Sequence, residues 1–449
     1  MKNDYLVRKN PMSALLIFAL PIIIGNFFQQ FYTMADSAIV GQYVSQEALA
    51  AVGASSSLTN VFIHVAMGGG LGASIVVGRY FGGKLYGKMK TAVSTALVTL
   101  LSISIVLGLI GYIFGRPIMQ LLNTPADALD MSAEYLQIYF LGLPFLFMYN
   151  IFSSLFNALG KSRIPLAFLI FSSVTNIVLD IFMVQQMGVA GAAWATLIAQ
   201  GISAIASFVT FMNIMKKLEG NAEHRFDKGE LLTISKIALP SILQQSTVSI
   251  GMMLVQSVIN SFGSEVLAGY SAAARVENIC LVPMIGIGSA LSSYVAQNIG
   301  AGKIDRVVQG YHAAIKIVVA FAVVSFGAMQ LFNAPLIDMF LGADGTAKAM
   351  ETGRAFLQFI GCFFCFIGFK QSVDGLLRGA GDMAVFTMAN MINLGIRVAF
   401  AALLAPVYDI SMVWIAIPIG WATNFVISYI HYRGGKWKTI YQAKQAAQE

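Results

Sequence analysis

Apolar residues run through this chain in long blocks that polar loops separate, without the strict alternation expected of β-strands. Each block has at least about twenty residues, the length with which an α-helix crosses the hydrocarbon core of a bilayer. The blocks predict twelve spans, at residues 14–41, 48–77, 90–113, 132–157, 164–186, 189–215, 234–262, 267–298, 307–333, 350–377, 383–406 and 411–432. The pattern therefore predicts an all-α polytopic membrane protein.

The pattern repeats in the second half of the chain. Lys84 follows Pro21 by 63 residues, and Lys303 follows Pro240 by the same 63. Six spans in each copy predict two pseudo-symmetric six-helix bundles that enter the membrane in the same sense. The predicted parts are an N-terminal lobe at 1–215, a charged cytoplasmic linker at 216–236, a C-terminal lobe at 237–433 and a cytoplasmic tail at 434–449.

Composition and charge agree with this class of protein. Charged residues make up 11% of the chain and hydrophobic ones 57%, whereas soluble domains average about 25% charged residues. One set of alternate loops, with both termini, holds 21 Lys and Arg residues, and the opposite set holds only Arg116 and Lys348. The positive-inside rule then predicts a multi-pass membrane protein with both termini in the cytoplasm. This placement accounts for the net charge of +7 without nucleic acid as a partner.

Two carboxylates lie deep in apolar sequence of the first half. Asp36 follows Tyr32 by four residues and Asp180 follows Asn176 by four, so each acid shares a helix face with a polar neighbour. An ionised carboxylate at mid-bilayer costs at least about 3 kcal/mol, so it needs a proton, an ion or a basic partner. No Lys or Arg lies in the interior of spans one to six. The set suits either H⁺ or Na⁺, and the sequence does not choose between them.

The second half distributes its charges differently. Its intramembrane charged residues include Arg275, Glu277, Lys316, Lys370, Asp374 and Arg397. Lys370 and Asp374 are four residues apart and can pair along one helix. Arg397 follows Asn393 by four, which repeats the Asn176 and Asp180 spacing with the opposite sign. These residues are secondary candidates for function, with structural ion pairs as the alternative.

Pro21 lies inside the predicted first span, where it removes a backbone hydrogen bond and opens a kink. We interpret it as a hinge that lets this helix change shape when its carboxylate titrates. The glycines of span two, Gly68 to Gly70 and Gly72, suit either bending or close helix packing.

Signals of enzyme chemistry are weak. The segment from Gly78 to Lys84 resembles the start of a phosphate-binding loop, but Leu85 stands where a Ser or Thr would hold Mg²⁺. No metal-ligand pair, nucleophile elbow or acid–base constellation has a suitable spacing. We therefore expect a protein that is not an enzyme, has no cofactor and does not use ATP directly.

Several motifs together resemble the multidrug and toxic compound extrusion (MATE) family. They are Asn176-Ile-Val-Leu-Asp180, the stretch from Gly188 to Thr196, Asp36 to Gly41, Asn157 to Lys161, and Leu376 to Asp382. The resemblance covers nearly the whole chain, and its details are most similar to the bacterial branch that includes the DNA-damage-inducible (DinF-like) proteins.

The resemblance implies two six-helix lobes with alternating access, and export of amphipathic, often cationic compounds in exchange for H⁺ or Na⁺. It implies a cation site in the N-terminal lobe at Asp36, Asp180, Asn176 and Tyr32, with Tyr135, Asn150 and Thr196 as further matches. Other branches carry an acid on span seven. This chain has none between Pro240 and Ser264, which leaves Asp374 as the secondary candidate in the C-terminal lobe.

The main hypothesis is therefore a cation-coupled antiporter that works as a monomer on small amphipathic molecules in the lipid bilayer. The alternative is a flippase for a lipid-linked oligosaccharide or another anionic lipid, which would need several cationic groups converging on one cavity. The basic residues of the second half keep that alternative open at the level of sequence.

Overall fold

The computed structural model describes residues 4–43, 46–121, 124, 126–342 and 345–438. The described part of the chain is helical, with short turns and no strand. The helices are α1 Tyr5–Arg8, α2 Pro11–Tyr43, α3 Gln46–Gly82, α4 Tyr86–Leu121, α5 Ala126–Ala158, α6 Arg163–Met187, α7 Val189–Lys216, α8 Lys228–Asn260, α9 Ser264–Gly300, α10 Ile304–Leu331, α11 Asn333–Leu341, α12 Ala347–Gly361, α13 Phe364–Gly379, α14 Met383–Ala399 with a π-helical continuation Phe400–Leu404, and α15 Ser411–Gly434.

Within the described residues, eleven helices are long and apolar enough to cross a membrane. Helices α12 and α13 pass the same criteria as a pair, and a bend of 55° separates them. The backbone nitrogens of Cys362 and Phe363 bond three residues back at this bend, to Phe359 and Ile360, which tightens the helix locally. Counted as one broken span, the pair gives the twelfth, and the all-α polytopic prediction is confirmed.

The chain forms two compact units, each of which takes one segment from the other half of the sequence. The N-terminal unit is Ile24–Ile242, and the C-terminal unit is Met1–Ile23 together with Leu243–Glu449. The boundaries lie two residues after Pro21 and Pro240, inside α2 and α8. The predicted lobes met at the linker instead. In the structure, the segment that ends at Ile23 belongs to the C-terminal unit, and the segment that ends at Ile242 belongs to the N-terminal unit. We call these two the exchanged segments.

In the N-terminal unit, glycines of α3 let the exchanged segment approach closely. A side chain at Gly72 would meet the backbone nitrogen of Ala238 at 2.9 Å, and one at Gly68 would meet that of Ile242 at 3.0 Å. Helix α3 continues unbroken past both glycines. Of the two interpretations of the glycine run, bending and close helix packing, these contacts support close packing. The preceding linker is tied down where Lys90 Nζ donates to the Leu218 carbonyl at 2.9 Å.

In the C-terminal unit, side chains from α9 and α10 hold the carbonyls of the N-terminal segment. Arg306 donates to the Lys9 carbonyl at 2.6 Å and to the Leu6 carbonyl at 3.3 Å. Asn298 donates to the same Leu6 carbonyl at 3.2 Å, and the Leu6 side chain is fully buried. Both exchanged segments are thus fixed to their unit by hydrogen bonds on the predicted cytoplasmic side.

Candidate functional site

Helix α6 has one buried stripe, and three of its four residues are polar. Its buried residues are Ser173, Asn176, Asp180 and Val184, at the three- and four-residue spacing of one helix face. Asn176 is 2% exposed and Asp180 is fully buried. The intervening Val178, Ile181 and Phe182 are exposed, as expected for a face turned toward lipid. Asp180, the one acidic residue of α6, therefore lies inside the N-terminal unit.

The Asn176 amide is the centre of a hydrogen-bonded cluster. With its nitrogen turned toward the acid, Nδ2 donates to Asp180 Oδ2 at 3.0 Å and to the Tyr32 hydroxyl oxygen at 2.8 Å. In that orientation Oδ1 accepts from the Thr196 backbone nitrogen at 3.1 Å. The opposite orientation offers one bond, from Nδ2 to the Thr196 hydroxyl at 3.3 Å. We assign the first orientation, because amide orientation follows from the hydrogen bonds that it satisfies.

The turn between α6 and α7 brings Thr196 to this cluster. Gly188 has a φ of +58°, a left-handed conformation that favours glycine, and its nitrogen bonds to the Val184 carbonyl at 2.9 Å. Gly191 then packs directly on the Met183 carbonyl, which leaves no room for a side chain. The two helices run back against each other, so a residue two turns into α7 lies beside Asn176.

Tyr135 and Asn150, both on α5, lie in different surroundings. Tyr135 packs against the cluster of Val184, Val189 and Ala192 at the α6–α7 corner. Its ring also stacks on Tyr139 with 6.5 Å between centroids. Asn150 donates to the Leu146 carbonyl of its own helix at 2.9 Å. Asn150 is thus bonded within its own helix.

Asp36 lies on α2, one turn after Tyr32, but its side chain lies outside the described residues. Its predicted part in the site stays a prediction. Pro21 lies inside α2, which is one continuous helix from Pro11 to Tyr43. The predicted hinge therefore coincides with the place where α2 passes from one unit to the other.

The C-terminal unit holds a second buried carboxylate, and this one has a basic partner. Lys370 Nζ lies 2.7 Å from Asp374 Oδ2 along one turn of α13, as the spacing predicts. Asn390 of α14 donates to the same Oδ2 at 3.3 Å and to the Phe386 carbonyl at 2.8 Å. All three charged or amide side chains are buried. Asp374 therefore has an ammonium group as a partner on its own helix, whereas Asp180 accepts from an amide on its own helix.

The remaining secondary candidates are spread over the C-terminal unit. Glu277, on α9, is 8% exposed and interacts electrostatically with Arg397 of α14. The guanidinium of Arg275 lies 5.9 Å from the centre of the Phe340 ring, a cation–π contact. Lys316 is exposed on α10. Two of the four basic residues thus have acidic partners, one contacts an aromatic ring and one faces outward.

One polar pair has no signal in the sequence. His431 Nε2 of α15 lies 2.6 Å from Asp382 Oδ2, in the turn before α14, although 49 residues separate them. Among the described residues, no group of three His, Cys, Asp or Glu side chains is arranged to hold a metal ion.

Comparisons with known proteins agree with this fold. A model of the MatE family matches residues 21–182 and 240–403, one match in each half of the chain. The chain belongs to the MatE family. Membership confirms the family expectation, while the DNA-damage-inducible branch stays a prediction.

Relatives in the family support a transporter. The chain is 30% identical to the probable multidrug resistance protein YpnP of Bacillus subtilis over 444 residues, 98% of this chain and 99% of that protein. It is 24% identical over 351 residues to an FAD transporter of Shewanella oneidensis, 76% of this chain and 77% of the relative. A MOP superfamily transporter from Pyrococcus furiosus has the same fold, with a TM-score of 0.90, 21% identity, and 98% and 99% of the two chains covered.

Proposed function

We propose that this protein is an antiporter that exports amphipathic, cationic drugs or toxic metabolites in exchange for H⁺ or Na⁺. The observation that carries the proposal is the convergence of Tyr32 and the Thr196 backbone on the buried Asn176 and Asp180. The protein would act as a monomer in the bacterial inner membrane, with both termini in the cytoplasm. It would transport its substrate unchanged and would not act as an enzyme.

The geometry suggests how a cation would act on the cluster. A buried carboxylate favours the bound state of a cation, because its charge is costly in an apolar surrounding. The Asn176 amide fixes Asp180 Oδ2 and the Tyr32 oxygen on either side of one nitrogen, 3.0 and 2.8 Å away. A proton on the carboxylate, or a Na⁺ ion on its oxygens, would change the hydrogen bonds of this set.

Helix α2 would pass that change on to the rest of the protein. Tyr32 lies on α2 beyond Pro21, in the part that belongs to the N-terminal unit, while the helix begins in the C-terminal unit. A proline in a helix interior weakens it at that point, because the residue donates no hydrogen bond. Exchange then requires only that cation and substrate favour different states of the shared helix.

The relatives suggest substrates that a test has to include. YpnP is named a multidrug resistance protein, which favours a broad range of small organic molecules. The FAD transporter of Shewanella oneidensis carries a name that points to an anion. An assay panel therefore needs an organic cation and an anionic dinucleotide.

The flippase alternative needs several cationic groups converging on one cavity. In the structure Lys370 is paired with Asp374, Arg397 interacts with Glu277, and Lys316 is exposed. These arrangements favour structural ion pairs, and they support the antiporter over the flippase.

The proposal is tested by efflux from proteoliposomes that contain the purified full-length protein. A fluorescent organic cation is loaded inside, and a pH gradient and a Na⁺ gradient are imposed in turn. We expect one gradient to drive efflux, and Asp180→Asn to lower the initial rate at least about 100-fold while the protein still folds, because the neutral amide no longer attracts a cation. Asp130→Asn, which changes a carboxylate 79% exposed in the same unit, is the matched control and should retain native efflux.

Equal gradient-driven efflux by native protein and Asp180→Asn would refute the assignment of the coupling site. Efflux of the anionic dinucleotide alone would refute the proposed substrate class. Movement of a labelled anionic lipid between leaflets without either gradient would favour the flippase.

A further inference from the structure

Asp374 lies in a small, closed polar site in the C-terminal unit. Its carboxylate is held through Oδ2, 2.7 Å from Lys370 Nζ and 3.3 Å from Asn390 Nδ2. The Lys370 side chain is 10% exposed and that of Asp374 is 4% exposed. The second oxygen, Oδ1, is buried and has no hydrogen-bond partner among the described residues. The site thus offers a carboxylate oxygen that its own side chains do not satisfy.

We propose that the Lys370 ammonium is a tethered cation, which fills the place that a transported monovalent cation would take at Asp374. The C-terminal unit then adds no coupling cation to the cycle, and exchange depends on the Asp180 site alone. This inference rests on the proposed function, because it concerns which unit supplies the coupling ion.

Geometry and charge support this assignment. An ammonium group is a compact point charge with three donors, so it compensates one carboxylate as a bound monovalent ion would. Its i,i+4 position places it on the same face of α13 as the acid. Replacing a buried ion pair by apolar or neutral groups costs little, whereas removing one partner leaves a buried charge that needs a new counter-ion. Without Lys370, Asp374 would therefore bind H⁺ or Na⁺ from solution.

One other charged residue of α13 faces this site. Arg378 follows Asp374 by four residues and interacts with it electrostatically. Its Nε lies 3.4 Å from Ser292 Oγ of α9, which directs the side chain toward that helix. From α14 the site receives the neutral Asn390 amide. Arg378 therefore offers an alternative to ion binding. When Lys370 is removed, the Arg378 guanidinium could compensate the Asp374 charge in place of an ion from solution.

The test is the thermal stability of the purified full-length protein in detergent, with Na⁺ replaced stepwise by a large organic cation at constant ionic strength. A second series varies pH at constant Na⁺, which distinguishes the proton from the sodium ion. Every variant is also made in the Asp180→Asn background, which removes the response of the N-terminal unit. Failure of the inference is thereby separated from failure of the proposed function.

We expect Lys370→Met in the Asp180→Asn background to gain several degrees in melting temperature on addition of Na⁺ or on acidification. A ligand that binds only the folded state stabilises it by RT ln(1 + L/Kd), where L is the free ligand concentration. A carboxylate that binds a proton more tightly in the folded state likewise stabilises that state as pH falls. Lys316→Met, which removes an exposed lysine of the same unit, is the matched control and should gain nothing. The gain should vanish in Lys370→Met/Asp374→Asn.

Lys370→Met that folds and gains no stability from either ion would overturn the inference, since Arg378 would then compensate Asp374. If Lys370→Met does not fold, the double variant Lys370→Met/Asp374→Asn decides the question in the native background. For this double variant, the number of cations exchanged per substrate molecule should equal that of the native protein. It is measured from the cation gradient at which net substrate flux stops. One cation fewer would show that Asp374 is itself a coupling site and would overturn the inference.

Discussion

The buried acids of the two units, Asp180 and Asp374, have different partners. Each lies on a helix face beside an asparagine amide, at 3.0 Å from Asn176 and 3.3 Å from Asn390. Asp374 also has an ammonium group 2.7 Å away, from Lys370. Asp180 accepts from the Asn176 amide, which also donates to the Tyr32 hydroxyl oxygen.

This difference bears on which unit exchanges ions. A carboxylate with a lysine on its own helix keeps its counter-charge through every state of that helix. A carboxylate that accepts from a neutral amide, as Asp180 does from Asn176, suits an ion that arrives and leaves. The interior of spans one to six contains no Lys or Arg, whereas the corresponding spans of the second half contain several. Two copies of one architecture can thus differ in role, with the acid of the N-terminal unit suited to coupling and that of the C-terminal unit suited to stability.

The largest expected difference is in stability. Asp374→Asn should destabilise the protein by about 3–5 kcal/mol, because it leaves the Lys370 ammonium buried without its counter-charge. Asp180→Asn should cost less than about 1 kcal/mol, because an amide still accepts the Asn176 hydrogen bond. Melting temperatures of the two variants in detergent check this. A larger loss for Asp180→Asn would mean that Asp180, and not Asp374, belongs to a structural ion pair.

A second comparison replaces the two asparagines. Asn176→Ala should weaken the apparent affinity for the coupling cation about 10-fold or more, because groups that orient an ion-binding side chain typically contribute 10–100-fold. Asn390→Ala should change it less than about 3-fold, since Lys370 still holds Asp374 in place. The cation dependence of efflux in proteoliposomes gives both values. Equal losses would remove the distinction between the units.

The smallest effect distinguishes the contacts of Asn176. Tyr32→Phe removes the hydroxyl that accepts from Nδ2 at 2.8 Å, and should lower the apparent cation affinity about 2- to 10-fold. Thr196→Ala keeps the backbone nitrogen that donates to Oδ1 and should change it less than about 2-fold. Cation titrations of efflux compare the two variants. The reverse order would assign the opposite orientation to the Asn176 amide.

The site residues show how far spacing alone reaches. Asp180 and Asn176 are predictable because a separation of four places two side chains on one helix face. The same rule predicted the Lys370–Asp374 pair. Contacts between helices, such as Asn390 with Asp374 or His431 with Asp382, depend on how helices cross, and no local spacing encodes that. The Asn150 amide, in contrast, donates to the Leu146 carbonyl of its own helix, so that contact does not depend on how helices cross.

The sequence by itself determined the membrane class, the helices and the two-fold repeat, because long apolar blocks permit only helices in a bilayer and their order is written along the chain. It also determined that Asp180 and Asp374 are buried, since both stand within such blocks. Only the tertiary structure decided that the units exchange the segments before Ile24 and Leu243, that the Asn176 amide meets the Tyr32 hydroxyl, and that His431 meets Asp382. Those outcomes depend on packing between helices that are distant in the chain, where contact energies and not periodicity select the partner.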